Sequence, residues 1–399
     1  MFLVRFGIFI LTILSIGLLE TFAQTNKTLR INPDDATGGT LSQYFDSVQF
    51  IPLETNKTSL FGDIHKLLIT NDGGFLLSDD DTQAYCSFDS AGQFLARIDQ
   101  STYPKKTNWL LSAALAYDGD RDAMVISNPN DKEFLYLDRK GNILGHSILN
   151  GLVASMDRMP NNISFIFHFP QGNSDSVVDN VKVYKDSILS AHYLLCKIKD
   201  IDIGGSSISR KNEFYHSDNY TIFSTGKKDL SFHLFSKNGL EKSYRLLLPE
   251  AYSYPLGFDS LSSSQKAAAV NGKMKLIGSV RNIFLNDDWL FFELMSGSGY
   301  FFDGRHLMYN LKDGRLICID HIASDSMSSF MPFHSEFGTI TAVKGDYIYC
   351  YVPAFVLFEA KKEDANHLWE KNRTLKLFFE TSDRKSNPVI IKMKLKQNL

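Results

Sequence analysis

Six side chains spread along the chain have types that can do chemistry together: Asp80, Asn128, His168, Lys227, Tyr300 and Arg305. A histidine near a carboxylate supports acid–base work. An amide and two cations orient polar or anionic groups, and a phenol ring offers a stacking face. Asp80 and Arg305 lie 225 positions apart, so no local motif joins the set. Only a fold that gathers distant loops at one end can do so. Each residue falls in or beside a short polar stretch between apolar runs. His168 and Arg305 adjoin predicted strand ends, where a side chain is held more rigidly than at a loop tip.

Two acidic runs ask for a metal reading. Asp118-Gly119-Asp120-Arg121-Asp122 sets carboxylates at alternate positions, as a calcium loop begins. The twelfth position is Pro129, where an EF-hand needs Glu, so the run reads as a polar turn. In Asp79-Asp80-Asp81 three adjacent carboxylates repel one another. Such a run is solvated or neutralised by a cation, and solvation is the simpler reading. There is no GxSxG, HExxH, P-loop or GxGxxG motif. No metal and no cofactor is predicted, and the chain carries no recognisable catalytic signature.

The elements that position these loops repeat. From Ile64, a strand (64–70), an Asn-Asp-Gly-Gly turn, a strand (75–78), a polar loop, a strand (84–89), a Ser-Ala-Gly turn and a strand (93–98) follow in order. Apolar runs joined by Asp, Asn and Gly turns are hairpin signals. The unit recurs at 111–148, where Gly141 repeats Gly92 and Ser127 repeats Ser78, each 49 residues on. Further copies read at 152–198, 212–248, 279–320 and 338–395, the last with strands expected at 374–380 and 389–395. Six four-stranded units predict an all-β fold, a six-bladed β-propeller of antiparallel blades. Helical insertions are expected near 249–275 and 354–371. The strand at 47–54 stands outside the six and is expected to pair with an outer edge, where it can latch the ring. In such a blade the loops between second and third strands share one face with the links between blades. All six candidate side chains are expected on that loop face.

Composition bounds the partners. The chain has 399 residues, 44% of them hydrophobic and 22% charged, with 31 Phe and 17 Tyr and a formal charge of -3. That balance gives no global basic field for nucleic acid. Arg5, the apolar run 6–19 and the small residues Thr21 and Ala23 predict a signal peptide over 1–23. The run is short for a membrane span, and none is expected in the mature chain. The domain reading is a signal peptide (1–23), an N-terminal extension with its strand (24–63) and the propeller (64–399). Cys86, Cys196, Cys318 and Cys350 each sit inside an apolar run and read as buried free thiols.

The passage Phe45-Asp46-Ser47-Val48-Gln49-Phe50-Ile51-Pro52-Leu53-Glu54-Thr55, followed by Gly62-Asp63-Ile64-His65-Lys66, resembles the opening of the exported six-bladed β-propeller proteins of Bacteroidetes. Phe88-Asp89-Ser90-Ala91-Gly92-Gln93-Phe94 fits their first outer hairpin. The resemblance implies a propeller fold and export, to the periplasm, the cell surface or beyond. It implies no functional residues, because the family is largely uncharacterised. The expected function is a binding or scaffold module outside the cytoplasm, taking a protein, peptide or glycan at the loop face. The alternative is a propeller hydrolase or lyase acting on a carbohydrate or other small molecule.

Overall fold

The structure is a computed structural model. It describes residues 25–79, 81–99, 101, 114–128, 133–148, 153–168, 172–173, 175–198, 214–225, 230–255, 257–270, 275–296, 304–335, 340–397 and 399. The expected signal peptide lies outside the described residues.

The chain opens with β1 (Thr25–Arg30), β2 (Thr37–Thr40), the single-turn helix α1 (Leu41–Tyr44) and β3 (Phe45–Pro52). Blade 1 is β4 (Lys66–Ile69), β5 (Phe75–Asp79), β6 (Ala84–Phe88) and β7 (Phe94–Ile98). Blade 2 is β8 (Leu115–Asp118), β9 (Ala123–Asn128), β10 (Glu133–Leu137) and β11 (Ile143–Ile148). Blade 3 is β12 (Val153–Met159), β13 (Ile163–His168), β14 (Val177–Lys185) and β15 (Ile188–Lys197). Blade 4 is β16 (Phe214–Ser217), β17 (Tyr220–Ser224), β18 (Ser231–Ser236) and β19 (Gly239–Leu247), followed by helix α2 (Ser263–Val270). Blade 5 is β20 (Ile277–Asn286), β21 (Trp289–Ser296), β22 (His306–Asn310) and β23 (Leu316–Ala323). Blade 6 starts with β24 (Ala342–Lys344) and β25 (Tyr347–Val352), passes through helices α3 (Ala354–Glu363) and α4 (Arg373–Thr381), and returns as β26 (Val389–Leu395).

Each blade is an antiparallel meander, and the innermost strands β4, β8, β12, β16, β20 and β24 touch in ring order. This is the six-bladed propeller that the repeat predicts. Strand alternation builds the core as layers between blades rather than one centre. Leu67 and Ile69 join Tyr349 and Tyr351 between blades 6 and 1. Their neighbour Leu68 points the other way and joins Leu115 and Met124 between blades 1 and 2. Val125 and Ile166 fill the next layer, and Phe165 with Phe223 the one after. Cys86, Cys318 and Cys350 are buried in these strands, and all four cysteines are free thiols.

The sixth unit corrects the expected strand at 374–380. That segment is α4, because Leu375, Phe378 and Phe379 recur at helical spacing and bury one face. Asn372 caps it, its side chain accepting from the Thr374 and Leu375 N–H groups at 3.0 and 3.2 Å. Phe378 and Phe379 pack on Phe358, and Phe379 also meets Trp369. The place left open in blade 6 is filled by β3, antiparallel to β26, with Ile51 opposite Ile390 and Ser47 opposite Lys394. The first and last strands of the ring thus close one blade. Upstream, β1 lies parallel on the outer edge of β19 and β2 parallel on β23, giving blades 4 and 5 a fifth strand each. Backbone groups that would face water on those edges are thereby paired.

Candidate functional site

The turns between first and second strands, and between third and fourth, share one face of the ring. Loops between second and third strands and links between blades share the other. Asp80, Lys227 and Tyr300 lie outside the described residues. Asn128 ends β9, and its side chain also lies outside the description. His168 ends β13, 9% exposed, with its Nε2 3.4 Å from the Tyr184 hydroxyl. Arg305 precedes β22 and is 4% exposed. His168 and Arg305 therefore enter different networks, in blades 3 and 5.

The Arg305 network is a dense polar cluster at the loop-face end of blade 5. At its centre Glu293, 5% exposed on β21, points its carboxylate at Arg305, His306 and Asn282, and Arg305 Nε donates to His306 Nε2 at 3.1 Å. Glu293 Oε1 lies 3.3 Å from Arg305 Nε and 3.4 Å from His306 Nε2. Its Oε2 accepts from Asn282 Nδ2 at 2.8 Å, with Arg281 Nη2 3.9 Å away. Asn282 reaches it because β20 is bulged there. The register slips between Arg281 and Phe284, and Asn282 takes a left-handed φ of 49°. Bulges re-aim side chains in this way beside sites. His306 Nδ1 donates to Asp320 Oδ1 at 2.6 Å, and Asp320 Oδ2 accepts the His306 backbone N–H at 3.2 Å.

Burial opposes charge on each of these groups, and the partners outweigh it. His306 is raised above its ordinary value because the hydrogen bonds to Asp320 and Glu293 overcome burial. Glu293 is lowered, burial being overcome by His306, Arg281 and Arg305. Asp320 is lowered in the same way by His306. His334, beside the cluster, is pushed down to about 4 by burial and is neutral near pH 7, and its buried Nδ1 has no hydrogen-bond partner among the described residues. Tyr351 of blade 6 donates to Asp63 Oδ1 at 2.6 Å. It is raised by burial, by Asp63 and by the charge of Glu293, which ties the cluster to the junction of blades 6 and 1.

A second network links blades at the innermost strands. Asp157 of β12 meets His216 Nδ1 of β16 at 3.0 Å and accepts from Thr221 Oγ1 at 2.6 Å. Lys66 Nζ of blade 1 donates to the Met156 carbonyl of blade 3 at 3.2 Å. Lys344 of blade 6 reaches Asn71 Oδ1 of blade 1 at 3.2 Å. Burial opposes the charge of Asp157, but His216 and Lys66 hold it below its ordinary value.

The acidic runs have structural roles. Asp79 is 2% exposed, and its carboxylate accepts the backbone N–H groups of Gly62, Asp63, Asp81 and Thr82 at 3.0 to 3.3 Å. It is neither solvated nor in need of a cation, because backbone donors from the link into blade 1 neutralise it. Asp118 opens a polar turn, accepting from the Asp120 and Arg121 N–H groups, with its Oδ2 2.9 Å from Arg158 Nη2. Among the described residues no three His, Cys, Asp or Glu side chains converge as metal ligands.

Glu293, His306, Asp320 and Asp157 escaped the sequence reading, which looked for chemistry in loops. The available signal was a charge inside an apolar strand: Glu293 within WLFFELM, Asp320 within LICID, Asp157 within ASMDRM. Such a charge violates the strand's local pattern and needs a buried partner.

The model of a family described as a domain of unknown function, DUF4934, matches residues 29–394. A solved structure of a candidate exported protein from Bacteroides fragilis is similar over 93% of this chain and 100% of that chain, at 13% identity and a TM-score of 0.67. The WD40 repeats of RRP9 align over 88% of this chain and 98% of that one, at 13% identity and a TM-score of 0.41. No curated protein matches the sequence significantly. No helix among the described residues is long and apolar enough to cross a membrane.

Proposed function

From the premise that this chain belongs to the DUF4934 family, a propeller family without an assigned activity, we propose that it works outside the cytoplasm as an exported binding or scaffold module. The loop face engages the partner, a protein or peptide before a glycan. One observation carries this reading. Leu60, Phe330, Phe355 and Leu377 are 46, 50, 42 and 58% exposed, and all four lie on loop-face segments around blades 5, 6 and 1. The eight other exposed large apolar side chains among the described residues lie on β11, β14, β15 and β19, so these four are the ones the loop face presents, and exposed apolar groups of this size serve interaction surfaces. The polar cluster beneath them supports a rigid platform, since each carboxylate is already held by its own donors.

A second reading, a hydrolase or lyase, draws on the His306–Asp320 pair with neutral His334 beside it. A buried histidine oriented by a carboxylate can move a proton once a substrate reaches it.

The test is a thermal-shift and calorimetric screen of the mature chain from Gln24 against peptide and oligosaccharide sets. A ligand that binds only the folded state raises the melting temperature. Leu377→Asp and Phe330→Asp are expected to abolish peptide binding while leaving the unliganded melting temperature within about 2 °C, a surface-substitution effect. Peptide binding unchanged in both variants would sink the loop-face reading. Turnover of glycosides that is lost in His306→Gln would favour the enzyme.

A further inference from the structure

The outer rim of blades 3 and 4 concentrates positive charge. Strands β14 and β15 with their turn (177–197) hold Lys182, Lys185 and Lys197. Strands β18 and β19 with their turn (231–247) hold Lys237, Lys242 and Arg245, and β1 adds Lys27 and Arg30. These eight cations meet three carboxylates in the same strands and turns, Asp179, Asp186 and Glu241, a net of +5 in a chain whose total is -3. The rest of the chain therefore carries -8.

The three carboxylates are engaged elsewhere. Asp179 meets His192 Nδ1 at 3.1 Å, Asp186 accepts from Asn162 Nδ2 at 2.9 Å, and Glu241 accepts from the Tyr220 hydroxyl. Among the described residues none of the eight cations is held by a carboxylate, whereas Arg97, Arg139 and Arg305 on other blades are. Seven of the eight are exposed and Lys182 is half-buried.

The two blades present one continuous rim. The Tyr193 ring of β15 lies 5.4 Å from that of Phe235 on β18, centroid to centroid, and its hydroxyl abuts Gly239 at the start of β19. Lys185 and Lys237 line the same shallow hollow of about 490 Å³. Aliphatic side chains stand among the cations. Val177, Ile188, Leu189, Leu195 and Leu247 are 59, 72, 50, 69 and 40% exposed. Ile188 lies opposite Lys185, Val177 opposite Lys197, and Leu247 beside Arg30.

Cations alone suit any polyanion. Cations interleaved with aliphatic groups suit a surface that is anionic outside and hydrocarbon just beneath, as at the boundary of a bilayer. Lysine and arginine stems lie along such a boundary with their charged heads among the phosphates. An acidic polysaccharide or a nucleic acid gives the five aliphatic groups no apolar phase to enter.

We propose that the outer rim of blades 3 and 4 is a membrane-docking surface that rests on a bilayer bearing anionic phospholipid headgroups. The cations meet the phosphates, and Ile188, Leu189 and Leu195 enter the headgroup layer. The rim is a different face from the loop face, so this docking stands apart from the binding proposed there.

The experiment is flotation of the full mature chain with vesicles of phosphatidylcholine alone or of phosphatidylcholine mixed with phosphatidylglycerol. Binding is expected on the mixed vesicles only. It should fade as salt rises from about 0.1 to about 1 M, where the screening length shrinks from ~10 to ~3 Å. Lys185→Glu/Lys237→Glu is expected to weaken it by about tenfold or more, because each surface cation adds to the attraction, with the melting temperature unchanged. Lys57→Glu/Lys371→Glu makes the same change in net charge at exposed positions away from this rim and is expected to leave binding intact. Ile188→Ser/Leu195→Ser removes apolar surface without touching charge and is expected to weaken vesicle binding too. No binding to the mixed vesicles, equal binding to neutral ones, or equal loss in both charge variants would each overturn the proposal. Vesicle binding untouched by Ile188→Ser/Leu195→Ser, with a soluble heparin fragment bound as tightly, would overturn it in favour of a soluble polyanion.

Discussion

Glu293 shows what one charge inside an apolar strand demands. Its carboxylate is buried and stays ionised only because Asn282, Arg305 and His306 meet it. Glu293→Gln keeps the shape and removes the negative charge that Arg305 faces at 3.3 Å and that His306 shares with Asp320. The expected cost is about 3–5 kcal/mol, the range for breaking a buried pair, read from urea unfolding at pH 6. The pH dependence follows from the directions of the shifts. His306 is raised above 6.5, so its contribution is complete below that pH and is lost as pH rises through the raised value. Glu293 and Asp320 are lowered from 4.5 and 3.8, so their share is present above those values and is lost as pH falls. The cluster is therefore at full strength between about pH 4.5 and 6.5. Stability of the wild-type chain should fall more steeply above pH 6.5 than that of His306→Gln. Parallel profiles would show that His306 is neutral in the fold.

Among the elements, hairpins were legible and the closure was not. Asn71-Asp72-Gly73-Gly74 and Ser90-Ala91-Gly92 announce turns by residue type alone, and Gly92 does take the left-handed φ of 83°. The same glycine does a second job that sequence cannot display. A Cβ there would sit 2.2 Å from the Pro52 carbonyl oxygen, because Glu54 N–H donates to the Gly92 carbonyl where β3 passes toward blade 1. Gly92→Ala is expected to destabilise by more than the ~1 kcal/mol lost to backbone conformation, and to loosen the seam between blades 6 and 1 first. Hydrogen exchange of Glu54 N–H against that of blade 3 amides would show it, and uniform loss across all blades would count against a local seam. TLKLFFE read as a strand because aromatic and β-favouring residues crowd it. Tertiary packing on Phe358 and Trp369 made it a helix, a competition that propensity does not resolve. The candidate site was legible in the same uneven way. Arg305 was found, but the partners that define its surroundings come from β20, β21 and β23, whose register only the fold supplies.

At the scale of the molecule, the ring has no central core and depends on six interfaces holding at once. Repeats stacked in a row tolerate loss of an end, but a closed ring does not. Removal of Val389–Leu395 should abolish cooperative unfolding rather than lower its midpoint, because β3 then has no partner and both neighbouring layers lose a wall. Near-UV circular dichroism against urea tests this. A single sharp transition in the shortened chain would show that five blades suffice.

The strands that come first in the chain pair with those that come late. β1 waits for residues 242–247, β2 for 317–323 and β3 for 389–395. A polypeptide emerging from its N-terminus therefore cannot settle its opening segment until nearly all of its length is available, and the last join spans over three hundred residues. Such long-separation contacts slow the final step, since loop closure must be met before pairing rewards it. For the export proposed above, this order of assembly means that the opening segment stays a thread until its late partners arrive.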